Sequence, residues 1–234
     1  SMIFLPAVAL SARIWFLMPL GSLSHKIFFN ALIAELGQRG HRVAFFSPHP
    51  PTVIQPGVDE VVFDGGGEAL TAMTTGTAWQ QQSLPHIFGF VHSALNASHT
   101  ACERFLQWDG FAAYLRGDRG RPDLVLLTHF FQECLLLVPH QLNVPFGFVS
   151  PAGLLPIVGP SLGLRANPAF MPALPVAPFT DRMSFIQRVV NTLVHHVLIG
   201  FGRTFHMTWA DALLSQATGQ PLQAHDLMKE ASLY

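Results

Sequence analysis

The sequence carries little charge. Only 12% of its 234 residues are Asp, Glu, Lys or Arg, against 50% hydrophobic, and 13 basic residues stand beside 14 acidic ones with no basic run. A nucleic-acid binder needs a basic face to neutralise phosphates, so that class is set aside. Cysteine is scarce as well. Cys102 and Cys134 are too few for a disulfide framework and match no zinc spacing, so two buried free thiols are expected. Beyond the first twenty residues or so, no apolar run reaches the roughly eighteen residues of a membrane-spanning helix. Internal repeats are missing too. "DGGGE" (Asp64 to Glu68) lacks both the spacing and the helix start of a phosphate cradle and reads as a loop. "FVSPAG" is not a nucleophile elbow, so Ser150 has no nucleophile's setting. His195 and His196 point to different faces of one helix and His206 belongs to the next, which speaks against a metal centre. His92 and His99 are two turns apart and read as surface or cleft residues, while Trp79, Trp108 and Trp209 are isolated and suit core or pocket wall.

What remains is ample for a sizeable core. "MIFLPAVALSA" has the length and apolar character of a signal-peptide h-region, with small residues ahead of Ala12, although no positive n-region precedes it. Residues 1–11 therefore read as a signal-peptide remnant, with an apolar edge segment as the alternative; Arg13 breaks any transmembrane reading of this stretch. Asn96-Ala97-Ser98 is a glycosylation sequon that matters only on the secretory route.

Further on, apolar strands alternate with helical patterns. "RIWFLMP" is a strand ended by proline; Phe28, Leu32 and Leu36, with Phe29 and Ile33 beside them, recur at helical spacing, with Ser24 as N-cap and Gly40 as left-handed stop. "HRVAFFSP" is the second strand, completing a βαβ unit whose parallel pairing implies burial on both faces. "DEVVFDG", "PDLVLLTHF" and "VPFGFVSP" are strands three to five, and "FFQECLLLVPHQL" is the helix between the last two. Residues 84–115 read as helix with Phe88, Val91, Leu95, Phe105 and Leu106 toward the core. Residues 151–180 are rich in proline and glycine, and with Leu154, Ile157, Phe170, Met171 and Phe179 they read as a loop walling a pocket. Two helical stretches follow, opened by Asp181 and closed by Gly219. The fold expected is α/β, an open doubly wound parallel sheet of Rossmann-like type.

Such sheets bind ligands outside the carboxyl ends of their strands. Gly21 to His25, Ser47 to Pro51, Thr128 to Gln132 and Ser150 to Gly153 lie there. His25 is then either a base, which needs a group to orient and neutralise its imidazolium, or only a polar residue at a helix start.

"RIWFLMPLGSLSHKIFFNALIAELGQRGHRVAFFSP" resembles the opening of animal UDP-glycosyltransferases: a strand, a turn ending in Ser-His, an amphipathic helix and Arg-Gly-His before the next strand. The likeness continues through "PDLVLLTHFFQECLLLVPHQLNVPFGFVSPAG", "NPAFMP" and "DRMSFIQRVVN", over about residues 13–234. It implies that residues 12–234 are the N-terminal, acceptor-binding half of a GT-B fold, without the C-terminal half that binds the nucleotide sugar. The family moves a sugar from a UDP-sugar to a hydroxyl of a small lipophilic acceptor, with inversion and no obligatory metal or cofactor, in detoxification. By this resemblance His25 is the general base, and Ser24, His129, Phe130, Ser150, Phe170 and Met171 line the acceptor site. The resemblance further implies a glycoprotein of the secretory route on the lumenal side of the endoplasmic reticulum, with Asn96 as glycosylation candidate. Membrane association would come only through a missing C-terminal segment, and homo-oligomers stay open.

At the position where the family commonly has an aspartate that holds the histidine, this sequence has Thr128. A hydroxyl can orient an imidazole but cannot neutralise it. In serine proteases, converting the orienting aspartate to its amide lowers turnover about 10⁴-fold. Asp123 lies at the far end of the strand, Glu133 is in the next helix and His129 adds no negative charge. Two classes of function stand: the acceptor half of a transferase, or an impaired form that binds lipophilic ligands or pairs with other subunits without transferring sugar.

Overall fold

Five runs of aliphatic and aromatic residues form the strands: β1 Arg13–Leu17, β2 Arg42–Ser47, β3 Val58–Val62, β4 Leu124–Thr128 and β5 Phe146–Val149. They pair in the order β3-β2-β1-β4-β5, all parallel, in a computed structural model that describes residues 11–51, 53–65, 84–128, 131–151, 156, 158–164, 166–173 and 179–233. This is the open doubly wound sheet that the sequence implies. Pro19, Pro48, Pro122, Pro145 and Pro151 flank the strands, since a residue without an N–H cannot extend an inner ladder.

The two faces of β1 show why its run is continuously apolar. Ile14, Phe16 and Met18 pack on one side with Phe29 and Ile33 of helix α1 (Leu23–Gln38). Trp15 and Leu17 point the other way, into a larger core built from α2 (Leu84–Gln107), α3 (Asp109–Leu115), α4 (Leu137–Leu142), α5 (Phe185–Phe201), α6 (Thr208–Thr218) and α7 (Ala224–Met228). Alternation along the strand, with both faces covered, demands apolar residues throughout. Trp15 meets Phe111 and Tyr114 edge-on at 6.1 and 5.5 Å, pairs worth about 0.5–1.5 kcal/mol beyond their buried area.

Several local expectations shift. The N-cap of α1 is Ser22, whose hydroxyl accepts from the His25 N–H at 3.3 Å; Ser24 lies inside the first turn, its Oγ 2.7 Å from that of Ser22. The buried stripe of α1 is Lys26, Phe29, Ile33 and Gly37, so Phe28 is left exposed. Gly37 is required there: a Cβ would lie 2.3 Å from the Pro56 carbonyl oxygen. Gly40 and Gly219 take the left-handed conformations expected of them, at φ 87° and 70°. The helix at 84–115 breaks at Trp108, and the one after β4 opens as a 3₁₀ turn, Glu133–Leu136. The late helix is capped by Ser184 and Gln187 in a reciprocal box, not by Asp181. Val91, Leu95 and Phe105 are core as expected, while the Phe88 side chain and the leader, residues 1–10, lie outside the described residues.

Lys26, one residue past His25, is fully buried. Its ammonium donates to Glu60 of β3 at 2.5 Å and to the carbonyls of His49 and Pro50 at 3.0 and 2.7 Å. Removing one partner of such a pair strands a buried charge, whereas replacing both by apolar groups is often tolerated. Lys26→Met should lower unfolding free energy in urea by about 3 to 5 kcal/mol, and Lys26→Met with Glu60→Leu should recover most of that loss.

Candidate active site at the carboxyl edge of the sheet

The strand order reverses direction between β1 and β4, and a crevice forms where loops leaving two such neighbours diverge. His25 stands in the first turn of α1, which follows β1; Thr128 ends β4 and Gln132 lies just past it, and His49 is on the loop after β2. The imidazole of His25 is half-buried against Gly21: a Cβ on that glycine would lie 3.5 Å from His25 Nδ1 and 2.8 Å from Met18 Sδ. Burial lowers the His25 pKa below its ordinary value, leaving the ring uncharged at neutral pH. Leu23, Ile27 and Phe28 form an exposed apolar rim on the same two turns of α1.

Two side chains reach the β1 loop from its flanks. His49 Nε2 donates to the Gly21 carbonyl at 2.7 Å, and the Gln132 amide bonds both backbone groups of Leu20, at 3.4 Å to the N–H and 3.0 Å to the carbonyl. Thr128 does less than its position promises. Its hydroxyl is buried and makes no hydrogen bond among the described residues, so it does not hold His25. Ser150 follows β5 at the same edge and Ser24 is exposed on α1. Phe170 and Met171 are exposed on a turn whose Pro168 and Met171 carbonyls accept from Asn191 of α5. His129 and Phe130 lie outside the described residues.

On either side of Gln132 the segment after β4 is pinned three times over. Phe131, in the left-handed region at φ 57°, accepts from the buried Ser98 hydroxyl through its carbonyl. Glu133 bonds His206 Nε2, and His206 Nδ1 lies 3.0 Å from His99 Nε2. A carboxylate only accepts, so His206 Nε2 carries a proton. His206 reaches inward from a π-helical turn, Gly202–Met207, and His99 stacks on Trp209 at 3.6 Å. Cys134 is bonded to Cys102 of α2, with Cα atoms 6.2 Å apart, which corrects the expectation of free thiols. Two cysteines too few for a framework still suffice for one staple across a buried core.

His99 and His206 are thus not bystanders: with Glu133 they form a line of hydrogen bonds. Among the described residues no three His, Cys, Asp or Glu side chains converge as a metal site, and no helix is long and apolar enough to cross a membrane. Sequence reading missed Lys26, His49, Gln132 and this line. The available signal was "QEC", two polar residues inside a run that is otherwise apolar.

The profile of the UDP-glucoronosyl and UDP-glucosyl transferase family matches residues 16–234, and the chain belongs to that family. It is similar to UDP-glycosyltransferase UGT5 of Dactylopius coccus, 25% identical over 83% of this chain and 37% of that protein. UDP-glucuronosyltransferase 2A3 of Cavia porcellus is 26% identical over 91% of this chain and 42% of that one. The chain thus spans about two-fifths of the length of these curated relatives. Among solved structures, the calicheamicin glycosyltransferase CalG4 aligns over 94% of this chain and 44% of its own, at 17% identity and TM-score 0.41.

Burial above all, then the His206 charge, lowers the His99 pKa from 6.5 to about 4, with Glu133 pulling the other way. Unfolding frees His99 to bind a proton near pH 6.5, so its contribution to stability is complete above pH 6.5 and is lost as pH falls through the window down to about 4. Urea midpoints should decline across that window, and less steeply in His99→Gln. Reducing the disulfide, whose cysteines are 32 positions apart, should cost about 3 to 4 kcal/mol in the same assay.

Proposed function

We propose that this chain is the acceptor-binding N-terminal half of a GT-B UDP-glycosyltransferase, with His25 as general base. The observation that carries the reading is an imidazole half-buried at the β1/β4 switch point beside an exposed apolar rim, its pKa lowered by that burial. In the reaction the acceptor hydroxyl gives its proton to His25 while its oxygen bonds to the anomeric carbon. The bond from that carbon to the UDP oxygen breaks, UDP leaves with the electron pair, and attack opposite the leaving group inverts the centre. The apolar rim favours a small lipophilic acceptor, held further by Ser24, His129, Phe130, Ser150, Phe170 and Met171. The UDP-sugar would be a co-substrate held mainly by a second half, with no metal or other cofactor.

A disulfide persists in oxidising compartments, which supports the secretory route, residues 1–11 as a leader and the lumenal side of the endoplasmic reticulum. Asn96 is exposed and suits glycan attachment, although Ser98 of its sequon is buried.

One observation favours a second reading. Thr128 offers His25 neither charge nor hydrogen bond, which suits an impaired form that holds lipophilic ligands or pairs with other subunits.

In a full-length transferase carrying this half, His25→Ala should lower kcat by at least about 10²-fold while UDP binding is kept. Thr128→Asp should raise turnover, and Thr128→Val should leave turnover near the parent's while raising stability by about 1 to 3 kcal/mol. A Thr128→Asp variant no faster than the parent would sink the idea of a weakened dyad; acceptor binding without transfer by the parent would favour the second reading.

A further inference from the structure

Past the last ladder bond of β1, from the Met18 N–H to the Phe46 carbonyl at 2.9 Å, the chain turns toward α1 and the sheet offers it no more partners. Buried main-chain groups must still be satisfied. Here side chains do it, from both flanks: Gln132 on the β4 side takes both groups of Leu20, and His49 on the β2 side takes the carbonyl of Gly21.

We propose that Gln132 and His49 are positioning residues, which clamp the Leu20–Gly21 peptide and thereby fix the imidazole of His25 over the carboxyl edge of the sheet. The inference rests on His25 being the base.

Neither residue is suited to the proton transfer itself. Both ends of the Gln132 amide are already engaged, the side chain is 2% exposed, and His49 must keep a proton on Nε2 to donate to a carbonyl. Each arm of the clamp is anchored in turn. Gln132 precedes Glu133, which bonds the buried His206, and Cys134, which is tied to α2. The carbonyl of His49 accepts from the buried Lys26 and from Ser47 Oγ at 2.9 Å.

The imidazole lies beside the clamped segment, where a Cβ on Gly21 would come to 3.5 Å from Nδ1, and the His25 N–H is bonded to the hydroxyl of Ser22, the next residue along it, at 3.3 Å. A displacement of that segment therefore moves the N-cap to which His25 is bonded. A catalytic group misplaced by 1 Å can lose about 10²-fold in rate.

The test uses a full-length transferase carrying this half, with kcat and KM measured for the UDP-sugar and for a lipophilic phenol. Gln132→Ala and His49→Ala should each lower kcat about 10- to 100-fold, with KM for the UDP-sugar unchanged. His49→Gln retains an N–H that can reach the Gly21 carbonyl and should restore kcat to within about threefold of the parent. Parent-like kcat in both alanine variants overturns the proposal, as does His49→Gln failing like His49→Ala. Should His25→Ala retain the parent's activity, the reading of His25 as base falls, which separates that failure from failure of the clamp.

Discussion

The ammonium of Lys26 has no contact with water, and the carboxyl edge of the sheet is arranged around satisfying it. Its three partners come from two places: Glu60 on β3, and the carbonyls of His49 and Pro50 on the loop after β2. A buried cation tolerates almost no vacancy in its shell, because desolvation costs several kcal/mol that only close partners offset. The first turn of α1, the β2 loop and β3 therefore have one mutual placement. His25 sits beside Lys26 in sequence and points elsewhere on the same turn, so the placement of the cation is also the placement of the proposed base. His49 closes the circuit, its backbone receiving Lys26 while its ring donates to Gly21.

On the far side of β1 the same problem is solved without a full ion pair at the turn. Gln132 is neutral and pairs with backbone, and the charge lies one residue further on, where Glu133 meets His206. A chain with 12% charged residues thus commits several of its few charges to the interior. Most proteins keep such groups in water. Here they hold loops that an apolar core alone could not hold, since burial is non-directional and fixes no register. Hydrogen bonds with defined donors and acceptors supply direction, and they cluster where the strands end. The disulfide and the left-handed Phe131 belong to the same constraint: a short loop after β4 is drawn to α2, α6 and β1 at once.

The sheet was legible because its information is local. Most strands are runs of apolar residues with a proline at one end, and parallel pairing follows from the intervening helices. His25 was legible for the same reason, since a residue just past β1 must stand at the carboxyl edge. The clamp and the histidine line were not. His99 and His206 are 107 positions apart, Gln132 and Leu20 are 112 apart, and each looks unremarkable in its own neighbourhood. Periodicity even misled at α1, where the larger phenylalanine pattern pointed to Phe28 while the stripe that packs runs through Lys26, Phe29, Ile33 and Gly37. A lysine on the buried face is invisible to a hydrophobic pattern. Caps failed more narrowly, by two or three residues, because Ser22 and Ser24, or Asp181 and Ser184, are equally good acceptors and only the backbone path chooses between them.

Thr128 gains meaning from what surrounds it. Around the carboxyl edge the polar side chains Lys26, His49, Gln132 and Glu133 are all engaged, yet this hydroxyl is buried and unengaged among the described residues. Leaving a buried hydroxyl so costs about 1 to 3 kcal/mol, and an apolar residue of the same shape would avoid it. Where neighbouring positions are so fully satisfied, the exception marks a place shaped for a different group or for a ligand atom. The resemblance implies the group, a carboxylate facing the proposed base, and the proposed two-sided hold on Leu20 and Gly21 would keep that base in position without it. On the proposed reading, the hold on the segment before His25 is separable from the charge that would activate it: the bonds to Leu20 and Gly21 are all made, while an uncharged residue stands at the position of the carboxylate.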